Sequence, residues 1–107
     1  MEHVRIDDLK EFSTEEDIRK KLVASEKIIA EICCYSPGQS TVKHLHPKQD
    51  EIFYIVEGTG KIVSDDQELP VSKSSVVFVP AGVKHGIQTV EDSQLLLMFI
   101  KSPGPNK

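Results

Sequence analysis

Tryptophan is absent from this 107-residue chain, arginine occurs only as Arg5 and Arg19, and the two cysteines are the neighbours Cys33 and Cys34. Adjacent side chains of an extended segment point to opposite faces, so the two thiols are poorly placed to bridge, and no CxxC pair offers a redox or zinc site. Free, buried thiols are the expectation. No strongly apolar run is longer than residues 95–100, far below the roughly 20 residues that a membrane-crossing helix needs, so no membrane role is expected. The first residues mix charges and lack an apolar core, so no secretory signal is expected and a cytoplasmic location follows. Lysine and arginine number 13 against 17 aspartates and glutamates, a net charge of −4, and no basic run offers phosphate contacts. Nucleic acid is not an expected partner.

What is present suits one soluble globular domain, with 38% apolar and 28% charged residues. Ser13 followed by Glu16 reads as a capping box for a short helix over residues 14–22, although residues 20–24 read nearly as well as a strand. From Lys27 onward short β-branched runs take over, at residues 27–35, 51–57, 61–64, 75–79, 85–90 and 94–101. Turn signals separate them, including Ser36-Pro37-Gly38, Gly58-Thr59-Gly60, Asp65-Asp66, Pro80-Ala81-Gly82 and Glu91-Asp92. Many short strands with turn chemistry about every ten residues predict an all-β sandwich or barrel. The chain thus divides into an N-terminal extension (residues 1–26, a short helix or edge strand), a barrel (27–101) and a flexible tail (102–107).

The histidines carry the chemical information. His44 and His46 are two apart, so an extended backbone turns both imidazoles to one face, the arrangement of a chelate. Glu51 opens a strand that can return beside them, and His85 follows the rigid Pro80-Ala81-Gly82 turn. Three imidazoles and one carboxylate suit a single divalent transition metal, be it iron, manganese, nickel, zinc, cobalt or copper. Asp50 is the alternative carboxylate. Alternation favours Glu51, which shares a face with Phe53 and Ile55.

These residues spell a pattern similar to that of the small single-domain cupins. Gly38, His44, His46, Glu51 and Gly58 fall at the spacing of the first cupin motif, and Pro80-Ala81-Gly82 with His85 resembles the second. Two positions depart from it: Ser74 stands where a glycine usually opens the second motif, and Thr89 where an asparagine usually closes it. Over residues 27–101 the resemblance implies a conical antiparallel β-barrel of the jelly-roll type, or double-stranded β-helix, holding the metal inside. It also implies a homodimer, for which Val23, Ile28 and Ile32 are candidate contacts, and dioxygenase-like or isomerase-like chemistry, or else non-catalytic binding of a sugar or metabolite.

Four protein ligands on an ion that takes six leave two positions for a small molecule. Phe53, Ile55, Phe78, Val79, Ile87 and Met98 are candidates for the barrel interior, with core packing the default for each, and Phe53, Ile55, Phe78, Ile87 and Met98 are expected to double as pocket wall. Proton transfer needs a further titratable group, and Tyr35, Tyr54 and Glu57 are the candidates. With both arginines before the barrel, a neutral oxygen-rich molecule is the expected ligand, and Lys43, Lys48, Lys61 and Lys84 are the cations available to its rim.

Overall fold

The computed structural model describes residues 1–104. A single helical turn, α1 (Ile6–Leu9), precedes eight strands: β1 (Ile18–Ala24), β2 (Ile29–Tyr35), β3 (Ser40–His44), β4 (Asp50–Ser64), β5 (Glu68–Ser72), β6 (Val76–Val79), β7 (His85–Thr89) and β8 (Leu95–Ser102). They form a curled antiparallel sheet in the order β1-β2-β8-β4-β7-β3, with β5 and β6 also paired to β4. The jelly-roll, all-β class expected from the sequence is the one observed. No helix among the described residues is long and apolar enough to cross a membrane.

β4 holds the two halves together. Its first part pairs with β8 and β6, and its second with β7 and β5. The passage between them is bulged, with the β4–β8 register slipping between Ile55 and Glu57. Gly58 sits just beyond, at φ +88°, where an added Cβ would collide with the Gln94 carbonyl. Residues 51–57 and 61–64 are therefore one bulged strand, and the turn expected at residues 58–60 does not form. β5 escaped notice because Glu68 and Pro70 interrupt any apolar pattern; it is paired with the second half of β4 all the same.

Period-two alternation gives the sheet two apolar faces. Cys33, Tyr35, Phe53, Ile55, Leu97 and Phe99 point inward and form one core with Ile62, Val79 and Ile87 from other strands. The outward residues Ile32, Cys34 and Leu96 form a second cluster, covered by Ile6, Leu9 and Phe12 of the N-terminal segment together with Ile18, Leu22, Val56 and Met98. The helix expected over residues 14–22 is absent. Ser13 accepts a hydrogen bond from the Glu15 N–H at 3.2 Å, a local turn. The chain then extends into β1, where Ile18, Lys20 and Leu22 are half-buried and Arg19 and Lys21 are exposed.

Two further expectations change. Ile32 is 0% exposed beneath the chain's own N-terminal cover, so it is unavailable to a second copy. The start of the tail is tied down: Ser102 Oγ donates to the Lys27 carbonyl at 2.9 Å, the Gly104 N–H donates to Glu26 at 2.9 Å, and Gln49 Nε2 donates to the Pro103 carbonyl at 2.9 Å. The remainder of the expected flexible tail, residues 105–107, lies outside the described residues.

Candidate metal centre

Three separate elements bring the candidate ligands together. His44 ends β3 and His85 begins β7, and the two face each other in the β3–β7 register. His46 lies two residues past β3, and Glu51 is the second residue of β4. One ligand atom from each of His44, His46 and His85 lies within 4.8 Å of the others. Glu51 Oε1 stands 3.0 Å from His85 Nε2 and 3.6 Å from His46 Nε2. Asp50, the alternative carboxylate, points elsewhere and accepts the Ala81 N–H at 2.9 Å.

Hydrogen bonds set the tautomers. His44 Nδ1 lies 2.9 Å from the Val42 carbonyl and His85 Nδ1 lies 2.8 Å from the Val83 carbonyl. A carbonyl only accepts, so both Nδ1 atoms carry hydrogen, and in the neutral rings both Nε2 atoms present lone pairs. The His85 lone pair then faces a carboxylate oxygen at 3.0 Å, two acceptors that need a cation between them. A proton can serve, and so can a metal ion. Ligands at about 2.1 Å from an ion lie about 3.0 Å apart across a right angle, so the donor types and the His85–Glu51 spacing fit a divalent metal. Burial disfavours charge on His85, but the Glu51 and Val83 hydrogen bonds and the Glu51 charge outweigh it and raise its pKa. Burial lowers that of His46, opposed by Glu51 and helped by Lys101.

His44, His46 and Glu51 border a small cavity of about 20 Å³, whose wall includes Tyr35, Thr41, Phe53, Ile87, Leu97 and Phe99. Of the expected wall residues, Phe53 and Ile87 are there, while Ile55 is fully buried in the adjoining core. Phe78 and Met98 are not. Phe78 is 58% exposed and lines a different groove, of about 320 Å³, behind His85. Met98 packs on the outer cluster, because β8 alternates and Leu97 and Phe99 take the inward positions.

Among the expected proton carriers, Tyr35 alone reaches the cavity; its hydroxyl lies 2.6 Å from Thr41 Oγ1, and burial pushes its pKa well up. Glu57 instead accepts from Lys10 Nζ at 2.9 Å, and Tyr54 pairs with Met98 away from the cavity. Two cations also border the cavity, Arg19 from β1 and Lys101 from β8. The expectation of an arginine-free site fails because β1, assigned to an extension, is a strand of the barrel wall. Lys43 and Lys61 pair with Asp65 and Glu68 instead. Alternation along β8 could have found Lys101, two steps from Phe99 on the inward face, but Arg19 is placed only by the β1–β2 register.

Comparison with known proteins agrees with the fold. A family model described as a cupin domain matches residues 31–101. The chain is 26% identical to TT1209 from Thermus thermophilus, whose crystal structure superimposes with a TM-score of 0.91 over 98% of this chain and 100% of that one. It is 29% identical over 66 residues to an uncharacterized protein of Methanocaldococcus jannaschii, covering 62% of this chain and 53% of that protein. It is 28% identical over 67 residues to the polyketide synthase CurC of Streptomyces cyaneus, covering 63% and 44% respectively. The chain thus spans about half the length of the curated relatives it matches.

Proposed function

The chain belongs to the cupin family, and from that premise we propose that it is a metal-dependent enzyme acting on a small oxygen-rich organic molecule. Nε2 of His44, His46 and His85 with a carboxylate oxygen of Glu51 would hold one divalent transition metal. The observation that carries this reading is the convergence of three imidazoles within 4.8 Å, with Glu51 against two of them. When bound, the ion supplies Lewis acidity towards a substrate oxygen. The chain's own residues do the rest: Phe53, Ile87 and Leu97 form the apolar part of the cavity wall, and Tyr35 holds a proton beside it. Burial keeps that phenol protonated at neutral pH, so it can donate to an oxygen on which charge builds. This favours isomerase-like proton transfer over dioxygenase-like chemistry, which needs no such donor. The likeness to a protein named as a polyketide synthase supports an enzyme working on oxygen-bearing carbon skeletons.

Metal content of protein purified without an affinity tag tests the reading. One equivalent of a transition metal is expected in the wild type, unchanged in His3→Ala and lost in the His44→Ala, His46→Ala double variant. Metal retained by the double variant would overturn the ligand assignment. A homodimer is part of the same proposal, with exposed Ile28 available to an interface, and light scattering at about twice 12.0 kDa is its sign.

A further inference from the structure

A second space lies on the other side of His85. The long strand β4 passes from one sheet into the other, and β5 and β6 follow it in succession along one edge, joined by the turn at residues 73–75. Period-two alternation turns Leu69 and Val71 of β5 to the interior, and Val77 and Val79 of β6 likewise. Val71 and Val79 close on the core, at 5% and 6% exposure, whereas Leu69, beside Ile62 in the β4–β5 register, remains 37% exposed. The interior face therefore runs out past the core into an open groove of about 320 Å³ between the two sheets, with Pro80 and Val83 at its rim. That is the lower end of the range of small-molecule sites, about 300–1,000 Å³. The groove shares no lining residue with the small cavity at the histidines. His85 turns Nδ1 to the Val83 carbonyl and Nε2 to Glu51, so what its ring offers the groove is carbon.

Of the aspartates, glutamates, lysines and arginines, Asp66 alone lines the groove. Its Oδ1 accepts the Ser64 hydroxyl at 3.1 Å, and Ser64 Oγ in turn accepts the Gln67 N–H at 3.2 Å, which fixes the carboxylate at the polar end. Asp65 and Glu68 take Lys43 and Lys61 at 3.1 and 3.2 Å, but Asp66 pairs with no cation among the described residues. Lys84 acts electrostatically on Asp65 and lies outside the lining. An apolar trough ending in one unneutralised carboxylate is complementary to an apolar molecule ending in one positive charge. We propose that the groove is a second binding site, taking a small amphiphilic amine whose hydrocarbon lies between Leu69 and Val77 and whose ammonium meets Asp66. The site is independent of the metal centre.

Hexylamine, hexan-1-ol and hexanoate share a six-carbon body and differ in the charge of the head, so titration of the protein with each, followed by amide NMR, separates the apolar part from the ionic one. Hexylamine is expected to bind saturably, about two- to fivefold more tightly than the alcohol, the worth of one exposed ion pair, with hexanoate weakest. The amides that shift should be those of Leu69, Val77 and their neighbours. Asp66→Asn should bring the amine to the affinity of the alcohol and leave the alcohol unchanged. Leu69→Trp, or Val83→Trp if the first variant does not fold, should fill the groove and abolish binding of all three. The His44→Ala, His46→Ala double variant should bind hexylamine as the wild type does, so failure of the metal reading leaves the groove standing. No saturable binding, equal affinity for amine and alcohol, an advantage that survives Asp66→Asn, or dependence on His44 and His46 would overturn the proposal. So would a dimer dispersed by Leu69→Trp in a protein indifferent to amines, which would give the groove to a second copy.

Discussion

Ser74 holds its backbone at φ +76°, a left-handed conformation that costs an L-residue about 1–2 kcal/mol. Its N–H donates to the Ile55 carbonyl at 2.8 Å, which ties the turn between β5 and β6 to β4. Glycine adopts this conformation freely but gives up about 0.5–1 kcal/mol more chain entropy on folding. Ser74→Gly is therefore expected to stabilise the protein by about 0.5–1 kcal/mol, read as a higher urea midpoint with unchanged slope; a lower midpoint would refute this. The other departure from the motif also has a local role, since Thr89 donates its hydroxyl to the Gln39 carbonyl at 2.6 Å and ties β7 to the turn before β3. At this scale the sequence was most informative where one short segment carries the geometry. The His44-x-His46 pair and the Pro80-Ala81-Gly82 turn before His85 are of that kind. Arg19 and Lys101 are not, because their place beside the cavity depends on which strands pair and in what register.

Among the elements, the segment before residue 27 does more than a sequence pattern assigns to it. β1 forms one wall of the cavity through Arg19, while Ile6, Leu9 and Phe12 cover the outer face of the same sheet. Phe12 is half-buried, so Phe12→Ala is expected to cost about 1–3 kcal/mol, below the range for a fully buried ring. Phe78→Ala, at a ring 58% exposed, should stay within about 0.5 kcal/mol. Urea denaturation of the two variants decides it, and equal losses would show that the N-terminal segment adds nothing to stability. The strands with apolar alternation were legible in the sequence. β4 was divided in two because its glycines serve a bulge rather than a turn, and β5 was hidden by its proline. Helix signals at Ser13 and Glu16 lost to the period-two burial of Ile18, Lys20 and Leu22, which only a neighbouring strand makes visible.

For the whole molecule, the curled sheet with a core on each side is the governing fact, and the neighbouring cysteines sample both. Cys33 belongs to the inner core, where burial pushes its pKa up to about 11. Cys34 belongs to the outer cluster, its pKa also raised by burial, and its sulfur accepts the Glu11 N–H at 3.5 Å. Both stay protonated and unreactive at neutral pH while covered. Lifting the N-terminal segment uncovers Cys34 without opening the barrel, and such local openings cost less than global unfolding. A Cys33→Ala variant, which keeps Cys34, should thus be alkylated by iodoacetamide at least about tenfold faster than a Cys34→Ala variant. Equal rates would mean that cover and barrel open together. The order β1-β2-β8 also bears on how the chain is made. β2, buried along nearly its whole length, can form a hairpin with β1 as soon as both leave the ribosome, but its other edge waits for β8, which begins 60 residues after β2 ends. At about 5–20 residues per second that is a delay of some 3–12 seconds, during which an apolar edge stands open to any strand that meets it. The nascent chain is most exposed to misassembly in that interval, and the completion of β8 ends it.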